Sequence, residues 1–113
     1  MSSSAPTSRL FFVYAPDKTD EGALDRRLSV REAHLKVAKE RVANGFIRVG
    51  GMMTTPETML AEKKKMVGSM FVCQAESIEE VKKAVETDIY YTSNVWDAEK
   101  IVILPFFAAT PIP

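Results

Sequence analysis

The stretch "VGSMFVCQAESIEEVKKAVET", residues 67–87, decides the fold because a strand pattern passes directly into a helix pattern. Its first part, residues 67–75, is a mostly apolar run of the kind found in buried strands. Ser77 and Glu80 then stand at capping-box spacing, which marks the start of a helix. The apolar positions that follow recur at helical spacing and are Ile78, Val81, Ala84 and Val85. The stretch therefore predicts a strand followed by a helix.

The flanking sequence predicts one further helix and three further strands. Residues 9–15, in "RLFFVYAP", are rich in aromatic and β-branched residues and end at a proline, which is typical of a buried strand. Apolar residues recur at helical spacing from Leu24 to about Ala43, and "ANG" supplies the Asn-Gly sequence that commonly ends a helix. "FIRVGGMM" and "KIVILPF" complete the strands. The polar loop with Lys63 to Lys65 is expected to be a solvated hairpin tip rather than a binding patch.

The resulting element order, β-α-β-β-α-β, is that of a ferredoxin-like α+β fold. Such a chain forms a four-stranded antiparallel sheet with two helices on one face. The segments "LFFV", "MFV" and "IVIL" in strands one, three and four are continuously apolar, so both faces of the sheet need cover. We therefore expect a homodimer in which the open sheet faces pack against each other.

The composition fits one domain and argues against several classes of partner. The chain has 113 residues, is 46% hydrophobic, and balances 15 basic against 15 acidic residues. Balanced charge gives no field that would attract nucleic acid or an anionic membrane, and no apolar run approaches the roughly 20 residues of a membrane helix. The start "MSSSAPTS" lacks the features of a secretory signal. We expect a flexible segment at residues 1–8, an α+β domain at 9–107 and a tail at 108–113, in a cytoplasmic protein.

No metal or cofactor is expected from the motifs. Cys73 lies in an apolar run and is expected to be a small buried hydrophobe. The chain has one cysteine and one histidine, whereas protein zinc sites usually take three or four ligands. No glycine-rich loop joins a strand to a helix, and "RVGGMM" lacks the spacing of a nucleotide-binding motif.

The single histidine, His34, shares one border of the first helix with two arginines. At about 100° per residue, one side of this helix carries an apolar stripe made of Leu24, Leu28, Leu35 and Val42. Arg31 falls within the stripe, while Arg27 and His34 lie along its edge. We therefore expect Arg31 to be largely buried, and either paired with an acid or facing a polar cavity. In a structural interpretation the arginines pair with carboxylates at the sheet edge and His34 caps a carbonyl. In a functional interpretation the three side chains line a cavity for an anionic or enolic ligand and for proton transfer.

Asp88 and Tyr14 are the other candidate site residues. A proton-transferring imidazole needs a carboxylate to orient it, and Asp88 stands at the end of the second helix, where the macrodipole disfavours a carboxylate. A turn-forming role explains Asp88 equally well. Tyr14, at the end of strand one, could supply a hydroxyl, although a strand tyrosine is more often part of the core. The aromatic group of Tyr90, Tyr91 and Trp96 is expected to pack in the dimer rather than to wall the pocket.

These residues resemble those of the YCII-related (YciI-like) proteins of the dimeric α+β barrel superfamily. The resemblance covers nearly the whole chain and is most specific in Arg31 and His34, which form an R-x-x-H motif, and in Asp88. It implies a ferredoxin-like domain that dimerises through its sheets, with His34 and Asp88 as a catalytic dyad facing a pocket. The chain departs from the common family pattern at Ile89, where proline is frequent, and at Asn94, where glycine is frequent.

Two function hypotheses follow from the residues and the resemblance. The first is a small cofactor-independent enzyme that performs elimination, isomerisation or dehalogenation on a small phenolic, enolic or lactone substrate; one relative in the family acts as a dehydrochlorinase on chlorinated hydroxyquinols. His34 would be the acid or base and Asp88 would fix its tautomer. Arg27, Arg31 and Tyr14 would bind the substrate, the arginines by holding an oxyanion. The alternative is a non-catalytic small-molecule binding or scavenging dimer that uses the same pocket. A purely structural dimer would leave a buried Arg31 unexplained.

Overall fold

The computed structural model describes residues 9–112, and the N-terminal segment expected at 1–8 lies outside this range. In chain order its helices and strands are β1 (Arg9–Pro16), α1 (Ala23–Ala43), β2 (Ile47–Thr54), β3 (Met66–Ala75), α2 (Ile78–Glu86), α3 (Ile89–Thr92) and β4 (Val102–Phe106). Single turns of 3₁₀-helix lie at Pro56–Thr58 and Ala98–Lys100.

The four strands form one antiparallel sheet in the order β2-β3-β1-β4. The central strands pair along their whole length, from Arg9 opposite Ala75 to Pro16 opposite Gly68. β2 extends the sheet beside β3, and β4 pairs with the other side of β1. This is the ferredoxin-like arrangement, so the predicted α+β fold class is confirmed.

The ends of the two long helices follow local sequence signals. Ser77 caps α2 by accepting a hydrogen bond from the backbone N–H of Glu80 at 3.2 Å. The Asn-Gly sequence ends α1, where Asn44 is the C-cap and Gly45 has a φ of 86°. Glycine adopts this left-handed conformation without a Cβ clash. Both boundaries therefore agree with the sequence prediction.

The core lies between the sheet and the helices. Alternate residues of β1, Phe11, Val13 and Ala15, are buried and pack with Val81 and Val85 of α2. This alternation places one side of each strand in the core and leaves the other side facing away from the helices.

Cys73 belongs to this core, as predicted. It is fully buried, and burial raises the pKa of its thiol to about 12. The thiol therefore stays protonated near neutral pH and is enclosed, so it is not a candidate nucleophile.

The sheet face that points away from the helices is apolar. It carries the alternate residues Leu10, Phe12, Tyr14, Val49, Met70, Val72, Val102, Leu104 and Phe106. Several are substantially exposed in the single chain, and Leu104 is 55% exposed. An apolar face of this extent is typical of an interaction surface.

α1 is oriented differently from the sequence prediction. Leu28, Leu35 and Val42 of the predicted core stripe are about half exposed. Arg31 is also exposed, so the expectation that it is largely buried is wrong, although it does line a cavity. The physical reason is a rotation of the helix: Arg27, not Arg31, reaches the buried end of the sheet. In residues 9–112, neither α1 nor any shorter helix has the length and hydropathy needed to cross a membrane.

Candidate active site

A cavity of about 270 Å³ lies between α1 and the sheet. Its size is near the lower end of the range for small-molecule sites, about 300–1,000 Å³. β3 contributes Ser69 and Phe71 to its wall, and the segment from α3 onwards contributes Tyr90 and Trp96. Four side chains singled out in the sequence also line it: Arg27, Arg31, His34 and Asp88.

His34 and Asp88 are hydrogen bonded, with 2.9 Å between Nδ1 and Oδ1. Both side chains are mostly buried, His34 on α1 and Asp88 between α2 and α3. A carboxylate only accepts hydrogen bonds, and Oδ1 also accepts one from the backbone N–H of Tyr90 at 2.9 Å. The shared hydrogen therefore belongs to Nδ1 of His34, which leaves the lone pair of a neutral imidazole on Nε2.

The position of Asp88 corrects one part of the sequence analysis. Asp88 does not belong to the last turn of α2, which ends at Glu86; it is the N-cap of α3. The carboxylate therefore lies at a helix N-terminus, where the exposed backbone N–H groups favour it. The break between α2 and α3 explains how an aspartate is accommodated at this point.

The His34 ring is held between aromatic neighbours. It stacks on Tyr90 with 3.8 Å between ring centroids and 10° between planes, and the edge contact with Trp96 has a centroid distance of 6.1 Å. Within residues 9–112, Nε2 has no hydrogen-bond partner and is not among the fully buried polar atoms. The free nitrogen is therefore accessible from the cavity. Tyr90 and Trp96 wall the pocket, which corrects the expectation that they pack in a dimer.

Arg27 connects several residues around the site through its guanidinium group. Its guanidinium Nη1 donates to both carboxylate oxygens of Asp17, at 2.8 and 3.0 Å, and Nη2 donates to Ser69 Oγ at 3.0 Å. The guanidinium also lies over the Tyr90 ring, 4.5 Å from its centroid. Burial raises the pKa of Asp17, and the neighbouring Arg27 opposes that rise. For Arg27 the structural interpretation is correct in that its guanidinium pairs with a carboxylate, but that carboxylate lies at the end of the central strand β1 rather than at the sheet edge.

Arg31 and Arg41 are the cations of the cavity wall with the fewest protein contacts. Arg31 makes no hydrogen bond or ion pair with any residue in the described range 9–112. Arg41 makes a long hydrogen bond to the Ala84 carbonyl, 3.4 Å, and lies over the Phe46 ring. Sequence reasoning missed Arg41, although it stands seven residues after His34 and so shares its side of the helix. The two arginines give the cavity a positive wall suited to an anionic oxygen.

Tyr14 is not brought to this site. It pairs across the sheet with Met70 and Val102, on the face that points away from the helices. The expectation that Tyr14 lies in the pocket is therefore wrong for this chain. The tyrosine that does line the cavity is Tyr90, and burial raises the pKa of its hydroxyl against the effect of Arg27 and Arg31.

Asn94 shapes the loop that returns Trp96 to the site. It has a φ of 60°, in the left-handed region that glycine and, less often, asparagine adopt. The backbone N–H groups of Val95 and Trp96 then both donate to the Tyr90 carbonyl, each at 3.0 Å. Asparagine adopts this conformation more readily than most residues with a side chain, so Asn94 can stand where the family resemblance led us to expect glycine.

No metal centre is visible in the described part of the chain. Residues 9–112 contain no group of three or more histidine, cysteine, aspartate or glutamate side chains placed to hold a metal ion.

The fold and the cavity together define a class of protein: a ferredoxin-like α+β domain with a histidine–carboxylate pair in a pocket between its first helix and its sheet. More particularly, the chain belongs to the YCII-related family, whose domain model matches residues 10–106. The family resemblance predicted from the sequence is confirmed.

Two curated proteins and one solved structure illustrate the relationship. The chain is 30% identical to Protein YciI of Escherichia coli over 97 residues, which cover 86% of this chain and 95% of that protein. It is 28% identical to fusaric acid biosynthesis protein 2 of Gibberella fujikuroi over 96 residues, with coverages of 85% and 90%. The structure of 5-chloro-2-hydroxyhydroquinone dehydrochlorinase (TftG) from Burkholderia phenoliruptrix AC1100, in complex with 2,5-dihydroxybenzoquinone, matches with a TM-score of 0.74 and 28% identity. That match covers 87% of this chain and 93% of the other.

Proposed function

We propose that this protein is a small cofactor-independent enzyme that uses His34 and Asp88 for proton transfer on a phenolic, enolic or lactone substrate. One observation carries the proposal: Nδ1 of His34 is bound to Asp88, while Nε2 is accessible from the cavity and has no partner in residues 9–112. A general base must keep one nitrogen for its substrate and benefits from a carboxylate that fixes its tautomer.

The proposed reaction begins with His34 as the base. Nε2 takes a proton from a hydroxyl or an acidic C–H group, and Asp88 stabilises the imidazolium that forms. In an elimination, the electron pair left by the proton forms the new double bond, and the leaving group, such as chloride, departs with the electrons of its own bond. The net change is loss of a proton and an anion, so no oxidant or reductant is required.

Negative charge that develops on a substrate oxygen would be stabilised by Arg31 and Arg41. Arg31 is the better candidate because it makes no hydrogen bond or ion pair within residues 9–112. Charged groups already directed at the developing charge need no reorganisation during the reaction. Arg27 has a different role in this proposal, since its Nη atoms are occupied by Asp17 and Ser69.

One similar protein favours elimination of a halide as the first reaction to test. The structurally similar protein from Burkholderia is named as a dehydrochlorinase, and its structure contains a flat dihydroxyquinone. The largely apolar cavity wall, which includes Phe71 and Trp96, would suit a small aromatic molecule.

The direct experiment is to incubate the protein with 5-chloro-2-hydroxyhydroquinone and to measure chloride release beside the His34→Ala variant. Chloride release by the wild-type protein, lost in the variant, would support the proposal. Tight binding of the compound without chloride release would instead support a non-catalytic binding dimer that uses the same pocket.

The proposal includes a homodimer formed through the open sheet face. Its support is the row of apolar side chains that no helix in the described chain covers, including Phe12, Val102 and Leu104. A stable interface usually buries more than about 1,000 Å² in total, and a four-stranded face on each subunit offers area on that scale.

A further inference from the structure

We infer that Arg41 binds a carboxylate of the substrate, so that the site takes a phenolic or enolic compound with an acidic side chain. The inference concerns the substrate of the site proposed above and in that respect rests on the proposed function. Of the two arginines that could stabilise developing charge, Arg31 is nearer to His34, which leaves Arg41 for a group that is negative before the reaction.

The positions of His34 and Arg41 on α1 mark two ends of the cavity. Both side chains line the cavity, and Arg41 follows His34 by seven residues, which at about 100° per residue returns the helix to nearly the same side. At about 1.5 Å per residue, Arg41 stands about 10 Å along the helix axis from His34, whereas Arg31 stands only about 4.5 Å from it in the other direction. Arg31 can therefore reach an oxygen beside the reacting hydrogen, while Arg41 meets the far end of a longer molecule.

The cavity wall carries unbalanced positive charge at Arg31 and Arg41. Of the described residues on the wall, only Asp88 is acidic, and its Oδ1 already accepts two hydrogen bonds. The third arginine of the wall, Arg27, has its charge balanced by a carboxylate at 2.8 Å. Neither Arg31 nor Arg41 forms an ion pair with a residue in the range 9–112. An anionic group of a ligand would therefore supply the charge that the wall lacks.

The protein contacts of Arg41 hold its guanidinium in place and leave most of its N–H groups available. The guanidinium lies over the Phe46 ring, 5.5 Å from its centroid, and Nη1 makes one long hydrogen bond of 3.4 Å to the Ala84 carbonyl. Two parallel N–H groups of a guanidinium match the two oxygens of a carboxylate, and this pairing is stronger than one with a neutral oxygen. A carboxylate is therefore the ligand group that Arg41 suits best.

The cavity wall between the two ends is apolar. Its side chains from α1 and the sheet include Leu35, Ala38, Val42, Ile47 and Phe71. A wall of this kind favours a ring or a hydrocarbon chain over a further polar group. The ligand therefore has an oxygen at the His34 end, an apolar body and a carboxylate at the Arg41 end.

The test compares 3-(4-hydroxyphenyl)propionate with its neutral amide by calorimetric titration at neutral pH. The two probes have the same shape and the same phenol, and only the first has a carboxylate. Because hydrogen bonds to charged groups contribute more than neutral ones, wild-type protein should bind the acid about 10-fold more tightly than the amide. Arg41→Gln should remove this preference and leave the affinity for the amide nearly unchanged. Arg41→Lys should keep part of the preference, because it retains the charge.

Two further variants serve as controls. Lys39→Gln removes the same charge from an exposed residue of α1 that is not on the cavity wall, so it should leave the preference for the acid intact. Arg31→Gln should weaken binding of the acid and the amide by the same factor, because Arg31 lies at the phenol end of the ligand. A preference that vanished in Arg31→Gln and persisted in Arg41→Gln would place the carboxylate at the wrong arginine and overturn the inference.

A second measurement uses wild-type protein alone and so does not depend on how well the variants fold. The Nε–H signal of Arg41 in NMR spectra, assigned by through-bond experiments, should shift on titration with the acid and much less with the amide. An unmoved signal, or equal affinity of wild-type protein for the two probes, would contradict the assignment of Arg41.

The inference and the proposed catalysis can fail separately. The preference for the acid should persist in His34→Ala, because it depends on the other end of the cavity. Absence of the preference in a protein that releases chloride from 5-chloro-2-hydroxyhydroquinone would overturn only the assignment of Arg41. Presence of the preference in a protein without turnover would overturn only the catalysis and would support the assignment.

Discussion

At the scale of single residues, the His34 ring is fixed from three sides. Asp88 holds Nδ1, Tyr90 covers one face and Trp96 meets the ring in an edge contact. None of these contacts uses Nε2, which stays available for chemistry. When the ring is removed, Asp88 still accepts the hydrogen bond from the Tyr90 backbone N–H, so the loss should affect chemistry more than folding.

We therefore predict that His34→Ala folds normally and loses turnover of 5-chloro-2-hydroxyhydroquinone by at least about 10²-fold, the usual scale for a general acid or base. Asp88→Asn should lose less, because asparagine keeps an oxygen for Nδ1 and for the Tyr90 backbone but loses the charge. Steady-state kinetics with circular dichroism of each variant would check both results. An unfolded His34→Ala whose soluble fraction retains full turnover would make the histidine a structural residue.

Cys73 offers a residue-scale prediction about burial. Because burial raises the pKa of its thiol to about 12, iodoacetamide at pH 8 should not label the native protein. Labelling in urea should be complete, since the unfolded thiol has an ordinary pKa of about 8.5. Mass spectrometry of both samples would measure this, and rapid labelling of the folded protein would contradict the position of Cys73 in the core.

At the scale of elements, the buried ion pair between Arg27 and Asp17 connects α1 to the end of β1. Both side chains are at most 4% exposed, whereas the adjacent Arg26–Asp20 pair has a similar distance but exposures of 34% and 53%. Substitution of each arginine in turn would therefore compare the contribution of a buried ion pair to stability with that of an exposed one.

We predict that Arg27→Ala lowers the free energy of unfolding by about 3–5 kcal/mol, because it leaves the Asp17 carboxylate buried without a partner. Arg26→Ala is the matched control and should cost much less, since solvent screens its pair. Urea denaturation of both variants gives the comparison. Similar losses in the two variants would show that the buried pair does not anchor the helix.

The contribution of the Arg26–Asp20 pair to stability should depend on pH. Hydrogen bonding to Arg26 lowers the pKa of Asp20 from 3.8 to about 2. A carboxyl whose pKa is lowered in the folded state contributes stability above its unfolded pKa and loses that contribution as the pH falls through its folded pKa. The stability difference between wild-type protein and Arg26→Ala should therefore fade between pH 3.8 and about 2, which urea titrations at several pH values would measure.

The order of helices and strands along the chain and the helix ends could be predicted because their signals are local. Ser77 and the Asn-Gly sequence act on residues within one turn. The rotation of α1 could not be predicted, because it depends on the contacts of Arg27 with Asp17 and Ser69, which are 10 and 42 residues away in the sequence. The apolar residues of the helix predicted that the stripe containing Leu28, Leu35 and Val42 faces the core, but these side chains are about half exposed.

The candidate site could be predicted only in part, because only some of its residues carry a local sequence signal. His34 and Asp88 stood out as a lone histidine and an aspartate at a helix boundary, whereas a strand serine such as Ser69 gives no signal of its own. Tyr14 was misplaced because "LFFVY" is apolar at every position, so no alternation shows which side chains face the helices.

At the scale of the whole molecule, the apolar sheet face predicts the oligomeric state. Leu104→Asp places a charge on that face and should convert a dimer to a monomer in sedimentation at micromolar concentration, because burying an unpaired carboxylate in an interface is unfavourable. Leu28→Asp is the control: Leu28 is 49% exposed and Leu104 55%, but Leu28 lies on α1. A wild-type protein that sediments only at 12.6 kDa would contradict the dimer.

Because side chains alternate along β3 between the two faces of the sheet, the two faces can evolve separately. Ser69 and Phe71 lie on the cavity side, and Val72 lies on the opposite side between Phe12 and Val49. If the cavity binds the proposed substrate and the opposite face forms the proposed dimer, single substitutions at alternate positions alter ligand preference and subunit contact independently of each other. Insertion or deletion of one residue within β3 would exchange the two sets of side chains. Substitutions in this strand should accordingly be far better tolerated in a mutational scan than changes of its length.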